Sequence, residues 1–128
     1  MTVPVSYVNI LVIAIGGAVG SVARYLLSTF LLRVTGAQFP VGTFVVNLIG
    51  CAIFGVMAGA ASQRLSLAPE ARLFLFVGIL GGFTTFSSYA FESVTLLRDG
   101  HLMAASVNIV GQVVLGIVAL WAGYLLAR

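Results

Sequence analysis

The chain has 128 residues and a mass of 13.4 kDa; 61% of its residues are hydrophobic, 7% are charged, the formal net charge is +3 and the mean hydropathy is +1.18. A water-soluble domain carries about 25% charged residues, so a soluble globular fold is excluded, and at roughly 150 residues per domain residues 1–128 form a single membrane domain. The lone Cys51 excludes an internal disulfide and argues against a zinc or iron–sulfur site, and the scattered excess of Arg offers no clustered basic face for nucleic acid.

The first apolar segment runs from Tyr7 to Leu32. No basic leader precedes it, and it is longer than the roughly 7 to 15 residues of a signal-peptide core, so it is expected to remain in the bilayer. It carries Gly16-x-x-x-Gly20, a spacing that lets helices approach closely in lipid, and Arg24. An ionisable group at that depth is a functional candidate; Arg24 either snorkels toward the first connection or supplies positive potential at a vestibule. Arg33 to Pro40, with Gly36 and Pro40, breaks the pattern.

The second segment, Val41 to Ala61, places Thr43 and Asn47 four residues apart on one stripe. Cys51 beside Gly50 reads as a small packing residue, and Gly55-x-x-x-Gly59 repeats the close-packing spacing. Ser62 to Pro69, polar and carrying Arg64, is the second connection.

The third segment, Leu73 to Leu97, holds Gly78-x-x-x-Gly82 and then Gly81-Gly82-Phe83-Thr84-Thr85 near its middle. Gly and β-branched Thr both weaken a helix, and the sequence predicts a break there. Broken helices at membrane depth survive where the freed backbone faces protein, water or an ion, and unwound carbonyls are a recurrent cation site. Phe86 and Tyr89, three apart, share a face, and Ser88 and Glu92, four apart, share a neighbouring one. A ring edge carries partial positive charge, so paired edges can meet a small anion without a full cation to trap it; core packing is the competing role. Arg98-Asp99-Gly100-His101 is a charged turn in which His101 is read as solvated.

The fourth segment, Leu102 to Leu126, places Asn108 and Gln112 four apart. Such residues serve as interhelical glue or, with those of the second and third segments, as the wall of a narrow hydrated path. Each segment is long enough to span, since about 20 apolar residues suffice, and an even number of spans puts both termini on one side. Arg64, Arg72 and Arg128 then face Arg33 and Arg98, three basic residues against two. Orientation follows a Lys/Arg excess in cytoplasmic loops; with so little excess, the chain is expected to insert both ways and to associate antiparallel.

Gly16-Gly17-Ala18-Val19-Gly20 with Arg24, Gly42-Thr43 with Asn47 and Gly50, and Gly81-Gly82-Phe83-Thr84-Thr85-Phe86-Ser87 with Glu92 resemble the small fluoride channels called Fluc or CrcB. The match covers nearly the whole chain and is weakest in the fourth segment. The resemblance implies an all-α integral membrane protein of four transmembrane helices, the third broken, forming a dual-topology antiparallel homodimer in the cell inner membrane. It implies two fluoride pores built from both subunits and a structural sodium ion at the dimer centre, held by the Gly81 and Thr84 carbonyls. Asn47, Phe86, Tyr89, Thr85, Ser88, Asn108 and Gln112 would line the pore, with Asn47 donating an N–H to the ion, and Arg24 and Glu92 would be vestibule or structural polar residues. The chain departs from the family at Tyr89, where Phe is usual; Asn108, Gln112 and water lie in reach of the added hydroxyl. The implied function is passive, non-enzymatic fluoride export. The alternatives are a proton-coupled exporter of the small multidrug-resistance kind, which needs a carboxylate early in the first segment where this chain has none, and an accessory subunit of a larger membrane complex.

Overall fold

A computed structural model describes residues 4–128. Four helical runs, Tyr7–Thr35, Val41–Gln63, Pro69–Arg98 and Leu102–Ala127, are long and apolar enough to cross a bilayer. The ends follow local chemistry. The Ser6 side chain accepts from the Asn9 N–H at 3.1 Å and caps the first span. That span continues past Leu32 to Thr35 because its stop is Gly36, whose φ of 57° is left-handed and whose N–H reaches the Leu32 carbonyl. The third span starts at Pro69, earlier than the apolar pattern, since a proline fits the first turn of a helix.

The third and fourth spans are irregular inside. Leu73–Leu80 and Val107–Gly111 are wound more widely than an α-helix, with the hydrogen bonds one residue longer in register. Gly81–Phe83 is helical, Thr84 (φ −81°, ψ 154°) and Thr85 (φ −148°, ψ 117°) are extended, and helix resumes at Phe86–Arg98. The glycine pair thus stays helical and the extended residues are the two threonines, whose branched side chains favour such backbone. Gly82 is needed for proximity: a Cβ there would stand 2.6 Å from the Gly17 carbonyl oxygen.

The second span packs most extensively on the fourth, and the first on the N-terminal half of the third. Both contacts use the small-residue spacings. Gly55 and Gly59 face the Leu120 and Tyr124 carbonyls, and a Cβ at Gly16 would come within 2.6 Å of the Phe74 carbonyl oxygen. The apolar core is small, with Val46, Leu80, Phe83, Tyr89, Leu96 and Ala105, and it is joined by buried Thr43, Ser93, Asn108 and Gln112. The chain exposes 8037 Å², against about 6,500 Å² for a compact soluble protein of this mass. Much of the excess is large apolar side chains such as Phe30, Phe91, Ile117 and Trp121, which suits lipid or another subunit as the contacting medium. The chain is a multi-pass membrane protein.

Candidate functional site

The extended pair Thr84–Thr85 takes backbone groups out of helical register, and at this depth each needs a partner. The chain supplies several of them from side chains. The Thr85 N–H donates to Asn47 Oδ1 at 2.8 Å, and Asn47 Nδ2 donates back to the Thr85 carbonyl at 3.0 Å. Arg24 Nε donates to the Gly82 carbonyl at 3.0 Å, placing a cation at the C-terminal end of the first helical half, where the helix dipole favours it. Thr85 caps the second half by accepting from the Ser88 N–H at 3.2 Å, and its hydroxyl lies 3.1 Å from Ser88 Oγ. Gly50 leaves room for the Thr84 methyl, which a Cβ at that position would strike.

From Asn47 a single file of hydrogen bonds crosses the bundle. Asn47 Nδ2 donates to Gln112 Oε1 at 2.7 Å, Gln112 Nε2 to Asn108 Oδ1 at 2.8 Å, and Asn108 Nδ2 to Ser93 Oγ at 2.9 Å. Ser93 Oγ ends the file on the Tyr89 carbonyl at 2.7 Å. The Tyr89 hydroxyl takes a different partner from those in reach by sequence. It donates to the Ile109 carbonyl at 2.9 Å, within the widely wound stretch of the fourth span, where the shifted register leaves carbonyls available. Thr43 Oγ1 donates to Glu92 Oε1 at 2.7 Å, while Glu92 Oε2 is buried with no hydrogen-bond partner.

Three cavities adjoin these groups. The first, about 350 Å³, is lined by Asn47, Thr84, Thr85, Phe86, Tyr89 and Gln112 with Cys51, Phe54 and further apolar residues, and no charged side chain borders it. Phe86 and Tyr89 are tilted at 44° with ring centroids 5.3 Å apart. The second, about 380 Å³, holds Arg24, Ser28, Gln38, Thr43, Ser88 and Glu92 and shares Thr85 with the first. The third, about 430 Å³, shares Gln38 and Glu92 with the second and reaches Asp99 and His101 at the turn between spans three and four. Shared lining residues thus link the three in order, from Thr85 at mid-span to the turn that holds Asp99 and His101.

The structure thus gathers Arg24, Asn47, Thr85, Phe86, Ser88, Tyr89, Glu92 and Gln112 around a pair of neighbouring cavities that share Thr85. Asn108 sits apart from them. It is 0% exposed and lies behind Gln112, because its amide is the middle link of the file rather than a surface group. Gly81 is exposed and Thr84 half-buried; with the Thr85 N–H committed to Asn47, the Gly81 carbonyl lacks the donor a continuous helix would give it. Sequence reasoning passed over Ser93, Ser28 and Gln38. Only Ser93 had a signal: it lies four residues after Tyr89, on the face that carries the aromatic.

The chain matches over residues 11–124 the family described as CrcB-like protein, Camphor Resistance (CrcB). Three similar proteins carry the name fluoride-specific ion channel FluC. The protein of Methylobacillus flagellatus is 43% identical over 94% of each chain. That of Maridesulfovibrio salexigens is 47% identical over 92% of this chain and 94% of its own, and that of Solibacter usitatus 48% identical over 92% and 97%.

Proposed function

The chain belongs to the CrcB family, and on that premise we propose that it is a fluoride-selective channel that releases fluoride passively across the cell inner membrane and keeps cytoplasmic fluoride low. The observation that carries this reading is the uncharged cavity in which Phe86, Tyr89, Thr85 and Gln112 meet. A conducting site must replace part of the ion's hydration and still let it go. Hydroxyl, amide and ring-edge groups meet that demand; a fixed cation in the same lining would bind too long. Arg24 and Ser88 flank the adjoining cavity, with Thr85 between the two, so positive potential stands at an entrance rather than at the constriction. Glu92 is held by Thr43 at the far side of that entrance.

The working unit is an antiparallel homodimer. The near balance of Arg across the connections supports it, as does Phe86, which lines the cavity yet is 77% exposed in one chain. A second copy would cover that ring and complete the wall. The third span works as two half-helices joined at Thr84–Thr85, and a structural sodium ion is held by the Gly81 and Thr84 carbonyls of both copies. The donor set fits such an ion. Among the described residues no three His, Cys, Asp or Glu side chains gather to hold a metal, whereas the displaced carbonyls are the hard oxygen donors that an alkali cation takes. Bound there, the cation would neutralise the dipoles of the carbonyls that hold it; Arg24 and Asn47 satisfy the Gly82 and Thr85 carbonyls within the chain.

Liposomes containing only this protein, loaded in turn with fluoride or chloride and tested with and without a proton gradient, decide the matter. The reading expects rapid fluoride efflux, slow chloride efflux and no demand for a proton gradient. Transport that requires protons, or none from the pure protein, would replace it with an exporter or an accessory subunit.

A further inference from the structure

The amide of Asn47 has no hydrogen left for an ion. An asparagine side chain offers two N–H donors, and both are in use, one on the Thr85 carbonyl at 3.0 Å and one on Gln112 Oε1 at 2.7 Å. Which atom is nitrogen and which oxygen is settled by the backbone: the Thr85 N–H can only donate and its carbonyl can only accept, so Oδ1 faces the first and Nδ2 the second. The direction then propagates. Gln112 must turn its oxygen to Asn47 and its nitrogen to Asn108, which turns its own nitrogen to Ser93, and Ser93 donates to the Tyr89 carbonyl, again a pure acceptor. Backbone groups of fixed polarity close the file at both ends, so only one arrangement of the three amides satisfies it.

Two amide hydrogens of the file are left over, one on Asn108 and one on Gln112; Asn108, whose other hydrogen goes to Ser93, is 0% exposed and borders none of the three cavities, so only the spare hydrogen of Gln112 stands beside open space. Gln112 Nε2 spends one hydrogen on Asn108 Oδ1, and its second has no acceptor among the hydrogen bonds of the described residues. Gln112 is 8% exposed and lines the cavity shared by Phe86 and Tyr89. If the amide were reversed, its oxygen would meet the oxygen of Asn108 and its nitrogen the nitrogen of Asn47, and both bonds would be lost.

We propose that Asn47 is a positioning residue: by clamping Thr85 and holding the oxygen of Gln112, it fixes the Gln112 amide with its spare N–H as the donor that meets the anion beside Phe86 and Tyr89. This rests on the channel reading and deepens it. Asn47 acts through Gln112, and the backbone polarity of Thr85 sets what the cavity presents.

Two measurements test it. In the first, fluoride is titrated against the 15N-labelled protein in detergent or nanodiscs, with chloride as control, while the side-chain amide signals of Asn47 and Gln112 are followed. The Gln112 signal is expected to shift with fluoride and the Asn47 signal to stay nearly still; a larger response at Asn47 overturns the proposal. In the second, fluoride and chloride efflux are compared for wild type, Gln112→Met, Asn47→Ala and the double variant. Gln112→Met leaves the Asn47–Thr85 clamp in place and is expected to lower fluoride flux about tenfold or more and to reduce the fluoride-to-chloride ratio. Asn47→Ala should do as much in the wild-type background and less than twofold more in the Gln112→Met background. Wild-type flux in Gln112→Met, or losses that multiply in the double variant, overturns the proposal. If Asn47→Ala does not fold, the titration and Gln112→Met decide alone. A wild-type protein that conducts no fluoride would sink the channel reading, and the titration would still report which amide meets the anion.

Discussion

Tyr89 is fixed from two directions, its hydroxyl on the Ile109 carbonyl and its own carbonyl on Ser93, so its ring is presented to the cavity at a set angle. The hydroxyl is then a fastener, and the ring edge is the part that an anion meets. Tyr89→Phe should lose one hydrogen bond, worth about 1 kcal/mol, and keep most fluoride flux. Tyr89→Leu keeps apolar bulk but removes the quadrupole, and its flux should fall severalfold or more at matched protein density. Equal flux for the Leu variant and wild type would leave Tyr89 as filler. Spacing grouped Asn47 with Thr43, Phe86 with Tyr89, Ser88 with Glu92 and Gln112 with Asn108 on shared faces, and the polar ones stood out against apolar surroundings; their assignment to a pore came from the resemblance. The pairing of donors with acceptors was not legible, since it depends on how three helices are rotated against one another. Ser93, despite its place four residues after Tyr89, was easy to pass over for a local reason: a serine in a helix can bond its own i−4 carbonyl and ask for nothing else, and Ser93 does this while also accepting from Asn108.

The elements follow the apolar lengths closely, and they depart from them where the sequence carries a stop or start that hydropathy does not weigh, at Gly36 and at Pro69. The interruption of the third span has two parts that the sequence runs together. Gly82 lets the first span come close, and Thr84–Thr85 provide the extended backbone. Gly50 on the second span belongs to the same joint through the Thr84 methyl. Gly50→Val should therefore displace Thr84, loosen the Asn47–Thr85 pair and cost about 1–3 kcal/mol through overpacking. Thermal unfolding in detergent should show a lower midpoint and liposome efflux a reduced rate, whereas Thr84→Ser, which removes that methyl, should be mild. A Gly50→Val protein with wild-type midpoint and flux would mean that the joint is not held from the second span. The widely wound stretches Leu73–Leu80 and Val107–Gly111 have no signature in composition.

For the whole molecule, the near balance of Arg supports the proposed antiparallel pairing, and the exposed apolar surface suits lipid or that second copy. Adding two or three Lys at one terminus should bias insertion and abolish fluoride flux, and co-expression with an oppositely biased copy should restore it. Full activity from one forced orientation would contradict the antiparallel assembly. Because the proposed sodium ligands are backbone carbonyls, exchanging sodium for a large organic cation should slow conduction or loosen the dimer, as read by flux and by cross-linking yield. Indifference of both to every cation would count against the ion.

The claim beneath all of these is that a fluoride ion crosses alone, down its own gradient, through a path that chloride and protons do not share. The reversal potential of the purified protein in a planar bilayer under a fluoride gradient tests it most directly. The account predicts reversal at the fluoride equilibrium potential, unmoved by chloride or by a pH difference across the membrane. Reversal that follows the proton gradient, or that sits where chloride would place it, would contradict it.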